Sequence, residues 1–448
     1  MVFSESNRKE RWMASALTSA QITWRYRIFV LTWLGYAGFY LCRKNLSVIA
    51  PELKDMGMTD MQYANYIFAY SLMYCIGQFV NGVLSDRFGP RTIVGVGLFL
   101  SVITNIFLGF SGTVFVLVLM LCSLNGIGQS TGWSGLVKNM ACWFRRKERG
   151  VVMAWWGTNY VLGGALATMF ATYCIYRMPF FSEYGWRSGF IVPALLLSVI
   201  ATGYVLFTRN KPSDVGLPDF PEDDDIESDS QSGDSAAGNA VHHTSTSIIL
   251  EILSKPSVWI IALMYFFLKL TRYAFLFWLP IYMAEGLGYS GEEAGYTSSI
   301  YELIGFTGAL TAGYVSDKIF QSRRFPVGTL FLWGLGVCFF LHPTIASWGH
   351  LANAVGIGLI GFLTFGPDTL MTGAAAQDEG SQRGAATAAG FINGVGSIGQ
   401  MISGYVVAVV TGAYGWNALF YLFVVFAFLS GALLASKWNH VPEFRKKV

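Results

Sequence analysis

Seven charged residues stand inside stretches that are otherwise apolar: the cations Arg43, Lys44, Lys138, Lys269 and Arg272, and the carboxylates Glu302 and Asp368. A charged side chain at membrane depth costs at least about 2.5 to 3.5 kcal/mol, so it faces a water-filled path or a partner. A guanidinium stays charged and offers a planar fork of donors that suits the oxygens of a phosphate better than an ammonium does. Arg43 and Arg272 each fall about fifteen residues into an apolar stretch, and two such arginines facing one another point to a bound dianion. The competing reading pairs each arginine with an internal carboxylate, Glu302 or Asp368. Glu302 could instead form a gating ion pair with Lys44 or Lys269, and Asp368 could cap a helix break after Gly366 and Pro367. For Lys44, Lys138 and Lys269, snorkelling or structural pairing competes with ligand contact. Tyr36, Tyr40, Asn159 and Tyr160 are candidate hydrogen-bonding groups for the same cavity, with core packing as the alternative.

The elements that must position these residues are set by hydropathy. Of 448 residues 53% are hydrophobic and only 13% charged, with a mean hydropathy of +0.46, which excludes an ordinary soluble domain. The apolar residues gather into twelve stretches: 26–52, 62–84, 92–111, 113–141, 150–176, 187–207, 257–284, 293–316, 326–344, 349–372, 384–411 and 416–436. Each can cross a hydrocarbon core of about 30 Å as a helix rising about 1.5 Å per residue. They are continuously apolar and not alternating, so helices are favoured over a barrel. Glycine is tolerated in such helices, and Gly163, Gly164, Gly394, Gly396 and Gly399 are expected at close helix contacts.

Twenty-two of the thirty lysines and arginines fall in the N-terminal arm, the even-numbered loops and the C-terminal tail, against Lys54, Arg177 and Arg187 on the other side. Basic residues near helix ends are retained in the cytoplasm, so both termini are expected there, in a cell inner membrane. This distribution accounts for the net charge of +3 without a nucleic-acid partner. The six cysteines have no CxxC spacing and suggest neither a disulfide framework nor a metal site. The first twenty-five residues lack a secretory signal's apolar core, so the first apolar stretch is expected to be retained. No nucleotide loop, metal cluster or nucleophile triad is present, so neither an enzyme nor a cofactor is expected.

Expected boundaries are an arm at 1–25, a six-helix bundle at 26–207, a linker at 208–256, a second bundle at 257–436 and a tail at 437–448. The linker's acidic, Ser/Gly-rich composition predicts disorder, and its His242 and His243 are expected to be solvated and not metal-bound. The two halves repeat one another. GVLSDRFGPR at 82–91 is matched by GYVSDKIFQSRR at 313–324, RGVVMAWWGTNY at 149–160 by RGAATAAGFING at 383–394, and Arg43 by Arg272. The fold predicted is an all-α membrane protein of twelve transmembrane helices in two pseudo-symmetric six-helix bundles.

The parallel relation of two six-helix halves, and the GxxxDRxGxR pattern at 82–91, resemble the major facilitator fold. Asp86, Arg87 and Asp317 are thereby read as a gating latch, together with Glu302. YLCRKNLSVIAPEL at 40–53 resembles the first-helix motif of the organophosphate:phosphate antiporters, the family of glycerol-3-phosphate and hexose-phosphate transporters. The resemblance continues through QSTGW at 129–133, TRYAFLFWLPIY at 271–282, YELIGFTGAL at 301–310 and GPDTLM followed by RGAATAAGF. It implies exchange of a small phosphorylated metabolite for inorganic phosphate across the lipid bilayer by a monomer, with Arg43 and Arg272 on the phosphate. Where the glycerol-phosphate carriers have a second-helix lysine, a fifth-helix histidine and a seventh-helix aspartate, this chain has Gln78, Tyr160 and Phe277. Gln78 therefore joins the candidate ligand contacts, in a less charged cavity. The family also contains membrane sensors of external sugar phosphate, and a proton-coupled transporter of another organic anion is a further alternative.

Overall fold

The computed structural model describes residues 17–112, 114–145, 152–153, 155–220 and 250–440, with backbone alone for residue 86, 180–182, 377 and 380–387. His242, His243 and most of the expected linker, like the ends of the chain, lie outside the described residues. Every regular element described is helical. The first half comprises α1 (Ser19–Leu41), α2 (Asn45–Asp55), α3 (Asp60–Phe88), α4 (Pro90–Ser111), α5 (Phe115–Trp143), α6 (Thr158–Tyr176) and α7 (Ser188–Phe207). The second comprises α8 (Pro256–Ile281), α9 (Gly291–Lys318), α10 (Arg324–Ala346), α11 (His350–Thr369) and α12 (Ala376–Ala435).

Local chemistry sets the ends. Thr18, Thr59 and Ser290 cap α1, α3 and α9 through reciprocal boxes with Gln21, Gln62 and Glu293, satisfying amide donors that the first turn leaves free. Gly89, at φ +82°, turns the chain between α3 and α4, and Pro90 begins α4 where no amide donor is needed. The sixty-residue α12 would be about 90 Å long if straight, three times the apolar thickness of a bilayer. Gly415, at φ +79°, divides it into two passes. With α1 and α2 sharing one pass, the described chain crosses the bilayer twelve times, six in each half. Among the described residues eight runs satisfy both length and apolarity, including the doubly long Ala388–Ala435, while α1, α6 and α9 are long enough but more polar. Phe79, Val83, Val199 and Leu351 are all more than two-thirds exposed, on an outer surface suited to acyl chains.

The first apolar stretch departs from expectation. Instead of one helix over 26–52, the chain breaks at Cys42–Lys44 between α1 and α2. Four of the five glycines expected at helix contacts are there: a Cβ would press Gly163 into Ala37, Gly164 into Glu302, Gly396 into Tyr265, and Gly399 into the carbonyl of Phe266. Gly394 faces open space, because its side of α12 meets no helix there.

The halves are joined away from the linker. Asn65 accepts from Tyr405 at 2.8 Å, Arg177 pairs with Glu292 at 2.5 Å, Lys54 pairs with Glu285, and Tyr63 donates to the carbonyl of Phe277 at 2.8 Å. Nearer the linker, Tyr160 and Thr369 are hydrogen-bonded across the halves at 3.2 Å, in an exposed position.

Candidate functional site

The break in the first pass builds the site. The carbonyls of Phe39, at the end of α1, and Cys42, in the break, take donors from three amides of neighbouring helices. Asn125 Nδ2 and Asn105 Nδ2 donate to the carbonyl of Cys42 at 2.8 and 3.4 Å, and Gln129 Nε2 donates to that of Phe39 at 3.1 Å. Gln129 Oε1 in turn accepts from Arg43 Nε at 2.7 Å and from the Tyr70 hydroxyl at 3.1 Å. The guanidinium of Arg43 lies 4.5 Å from the ring centre of Tyr40 and 5.2 Å from that of Tyr74. These contacts fix its plane by cation–π attraction and one neutral acceptor. Its Nη2 is buried and has no hydrogen-bond partner among the described residues. Tyr36 sits behind Tyr40, in an aromatic cluster with Trp133 and Trp156.

Arg272 comes from the matching position of α8. Its guanidinium lies 4.8 Å from the ring centre of Phe365, 5.5 Å from Tyr160 and 5.7 Å from Tyr273. Unlike Arg43 it has a carboxylate: Nη1 is 3.1 Å from Asp368 Oδ2. Asp368 is therefore not a helix cap, because the chain stays helical past it through Leu370–Ala375. Arg272 Nε is a second buried donor without a partner among the described residues. Tyr40 and Tyr273 each lie within electrostatic range of both arginines, so the two guanidinium groups share one site.

Below this site, toward the closed side, Lys44 crosses to the second half. It lies 3.4 Å from Glu302 Oε2 and donates to the carbonyl of Leu276 at 3.0 Å. That carbonyl is available because Pro280, four residues on, has no N–H to occupy it. Ser47 Oγ takes the same carbonyl and that of Phe277, at 3.1 and 2.9 Å. The end of α8 is thus tied to the start of α2 by Lys44 and Ser47, and the buried Lys44–Glu302 ion pair ties the same point to α9. Breaking a buried pair by removing one partner costs about 3 to 5 kcal/mol. Glu302→Gln should therefore loosen the closed side and raise thiol labelling of an Asn65→Cys reporter by at least about tenfold, a shift of ~1.4 kcal/mol. Unchanged labelling would remove Glu302 from the gate.

The other expected residues are placed unevenly. Tyr160 lines the site, whereas Asn159 is wholly buried beside it with neither amide atom bonded. Gln78 is half-buried on α3, one turn beyond Tyr74, and makes no hydrogen bond to either arginine. The side chain of Asp86 lies outside the described residues, and Arg87 is exposed with its guanidinium over Phe88. Asp317 pairs with Arg324, which also binds Ser316 at 3.0 Å and Asp378 at 3.2 Å, all within the second half. Because Asp317 is exposed and Arg324 keeps Asp378, Asp317→Asn should cost under about 1 kcal/mol. Its melting temperature should barely move, and the order of preference among ligands should not change; a changed order would put Asp317 in the ligand path.

Tyr70, Tyr74, Asn125 and Gln129 were not among the expected contacts. Each pair is spaced four apart on one helix face, in an apolar stretch, which is the sequence signal that identifies them.

A transmembrane bundle of two like halves, with a charged site between them, defines a secondary carrier fold. Residues 32–390 match the Major Facilitator Superfamily. The chain is 30% identical to the glycerol-3-phosphate transporter of Bacillus subtilis (strain 168), over 98% of both chains. It is 30% identical to a probable hexose phosphate transport protein of Chlamydia trachomatis, over 95% of this chain and 93% of that one. It is also 31% identical to the membrane sensor protein UhpC of Salmonella typhimurium, over 92% and 91%. Among solved structures, a bacterial homolog of the human lysosomal transporter Spinster superposes with a TM-score of 0.76 at 15% identity, covering 93% of this chain and 97% of that one. The chain belongs to the Major Facilitator Superfamily and, within it, to the organophosphate:phosphate antiporter family.

Proposed function

We propose that the protein exchanges a phosphorylated metabolite, a sugar phosphate or glycerol phosphate, for inorganic phosphate by alternating access. The observation that carries this reading is the pair of buried, unpartnered donors, Arg43 Nη2 and Arg272 Nε, presented from matching positions of the two halves. A phosphate dianion between them would satisfy both donors through charge-assisted hydrogen bonds. In this reading the bundles at 26–207 and 257–436 rock against each other, with the linker and both termini on the cytoplasmic side of a cell inner membrane. The site lies between the two halves of one chain, and in this reading the working unit is a monomer.

The test is counterflow in proteoliposomes loaded with inorganic phosphate and offered a panel of phosphorylated and unphosphorylated sugars. Uptake restricted to phosphorylated compounds is expected. The similarity to a membrane sensor supports a second reading, in which the same site binds ligand and signals through a partner. Saturable phosphate binding without counterflow would favour the sensor.

A further inference from the structure

The charges around the site do not balance, and the excess falls on a residue with no assigned part. Buried charged residues here are Arg43, Lys44, Lys269, Arg272, Glu302 and Asp368. Glu302 pairs with Lys44, and Asp368 with Arg272. Arg43 and Lys269 have no carboxylate within ion-pair distance among the described residues. Lys269 Nζ instead donates to two neutral acceptors on α12, Asn393 Oδ1 at 2.9 Å and Ser397 Oγ at 3.0 Å, and lies 5.5 and 5.7 Å from the ring centres of Tyr265 and Tyr273. It precedes Arg272 by three residues on α8, so both side chains leave the same helix face. Gly396 admits the lysine stem, since a Cβ there would meet Lys269 Cδ at 3.1 Å. An ammonium so enclosed has lost most of its water, and amide and hydroxyl dipoles replace only part of it.

We propose that Lys269, held by Asn393 and Ser397, determines the charge class of the ligand: with Arg43 it supplies the two uncompensated positive charges that make the site select a phosphate dianion over a monoanion. Arg272, already balanced by Asp368, contributes donors and orientation. The assignment rests on the transport reading above, since it presupposes a phosphate-bearing ligand. It goes beyond the arginine pair in naming which cations carry the charge.

The test compares binding of methyl phosphate with that of dimethyl phosphate to the full chain in nanodiscs at about pH 7.5. The monoester, with a second pKa of about 6, is then mostly a dianion, and the diester is a monoanion. Wild type should prefer the monoester. Lys269→Gln should lower that preference by at least about tenfold, acting mainly on the monoester. Asn393→Asp, which neutralises the lysine without removing it, should do the same and guards against misfolding of the first variant. Lys269→Gln combined with Asp368→Asn restores an excess of two charges and should recover most of the preference. A wild-type preference retained by folded Lys269→Gln or Asn393→Asp overturns the assignment, as does a double variant with no recovery. Wild type that binds neither ester nor inorganic phosphate overturns the transport reading itself, and this assignment with it.

Discussion

Arg43→Ala should lower phosphate affinity by about hundredfold or more, ~3 kcal/mol, the range found when one member of a buried, hydrogen-bonded charge pair is truncated. The protein should still insert, because Arg43 is held by rings and a single glutamine, and its removal strands no carboxylate. Arg43→Lys should rescue weakly, since an ammonium cannot donate to Gln129 and to ligand as a planar fork. Arg272→Ala should behave differently. It also removes the partner of Asp368, leaving a buried carboxylate uncompensated at a cost of about 3 to 5 kcal/mol. Low yield or a reduced melting temperature is therefore expected for Arg272→Ala, and Asp368→Asn in the same chain should restore stability but not binding. Isothermal titration and thermal melts on the four variants separate the two effects. Wild-type phosphate affinity in Arg43→Ala would remove that arginine from the site.

Phosphate efflux from loaded liposomes should be slow into phosphate-free buffer and at least about tenfold faster when phosphate or an accepted organophosphate is added outside. The reason is the empty site. Arg43, Arg272 and Lys269 are already buried with too few carboxylates, and closing the halves on the linker side would press them closer in a low dielectric, where like charges repel more strongly than in water. A dianion offsets the excess and gives both halves a common partner, so its binding energy is spent on reorientation. Lys269→Gln, with one less charge to enclose, should return empty faster and leak more. Equal wild-type efflux in both buffers, after correction for leak and membrane potential, would show that the empty carrier turns over freely.

Much of this protein is legible along the chain because its strongest constraints are one-dimensional. A bilayer demands apolar runs of a minimum length, so the passes can be counted, and the repeated offsets of Asp86 with Asp317 and of Arg43 with Arg272 expose the duplication. Arginines are costly inside those runs, which singles out Arg43 and Arg272 as candidate ligand contacts without coordinates.

The break at Cys42–Lys44 was not legible. Nothing in LCRKNLS is a helix breaker; the interruption is stabilised by Asn105, Asn125 and Gln129, brought from two other helices. Nor could sequence say which carboxylate neutralises which cation. Glu302 and Asp368 were candidate partners for either arginine, and Glu302 also for Lys44 or Lys269; pairing energies depend steeply on distance and burial, both set by helix rotation and packing. The number and kind of charges in the membrane were written in the sequence. Which of them remain uncompensated, and so what charge the ligand must bring, was decided only when α8, α11 and α12 packed with Asp368 against Arg272 and only neutral acceptors beside Lys269.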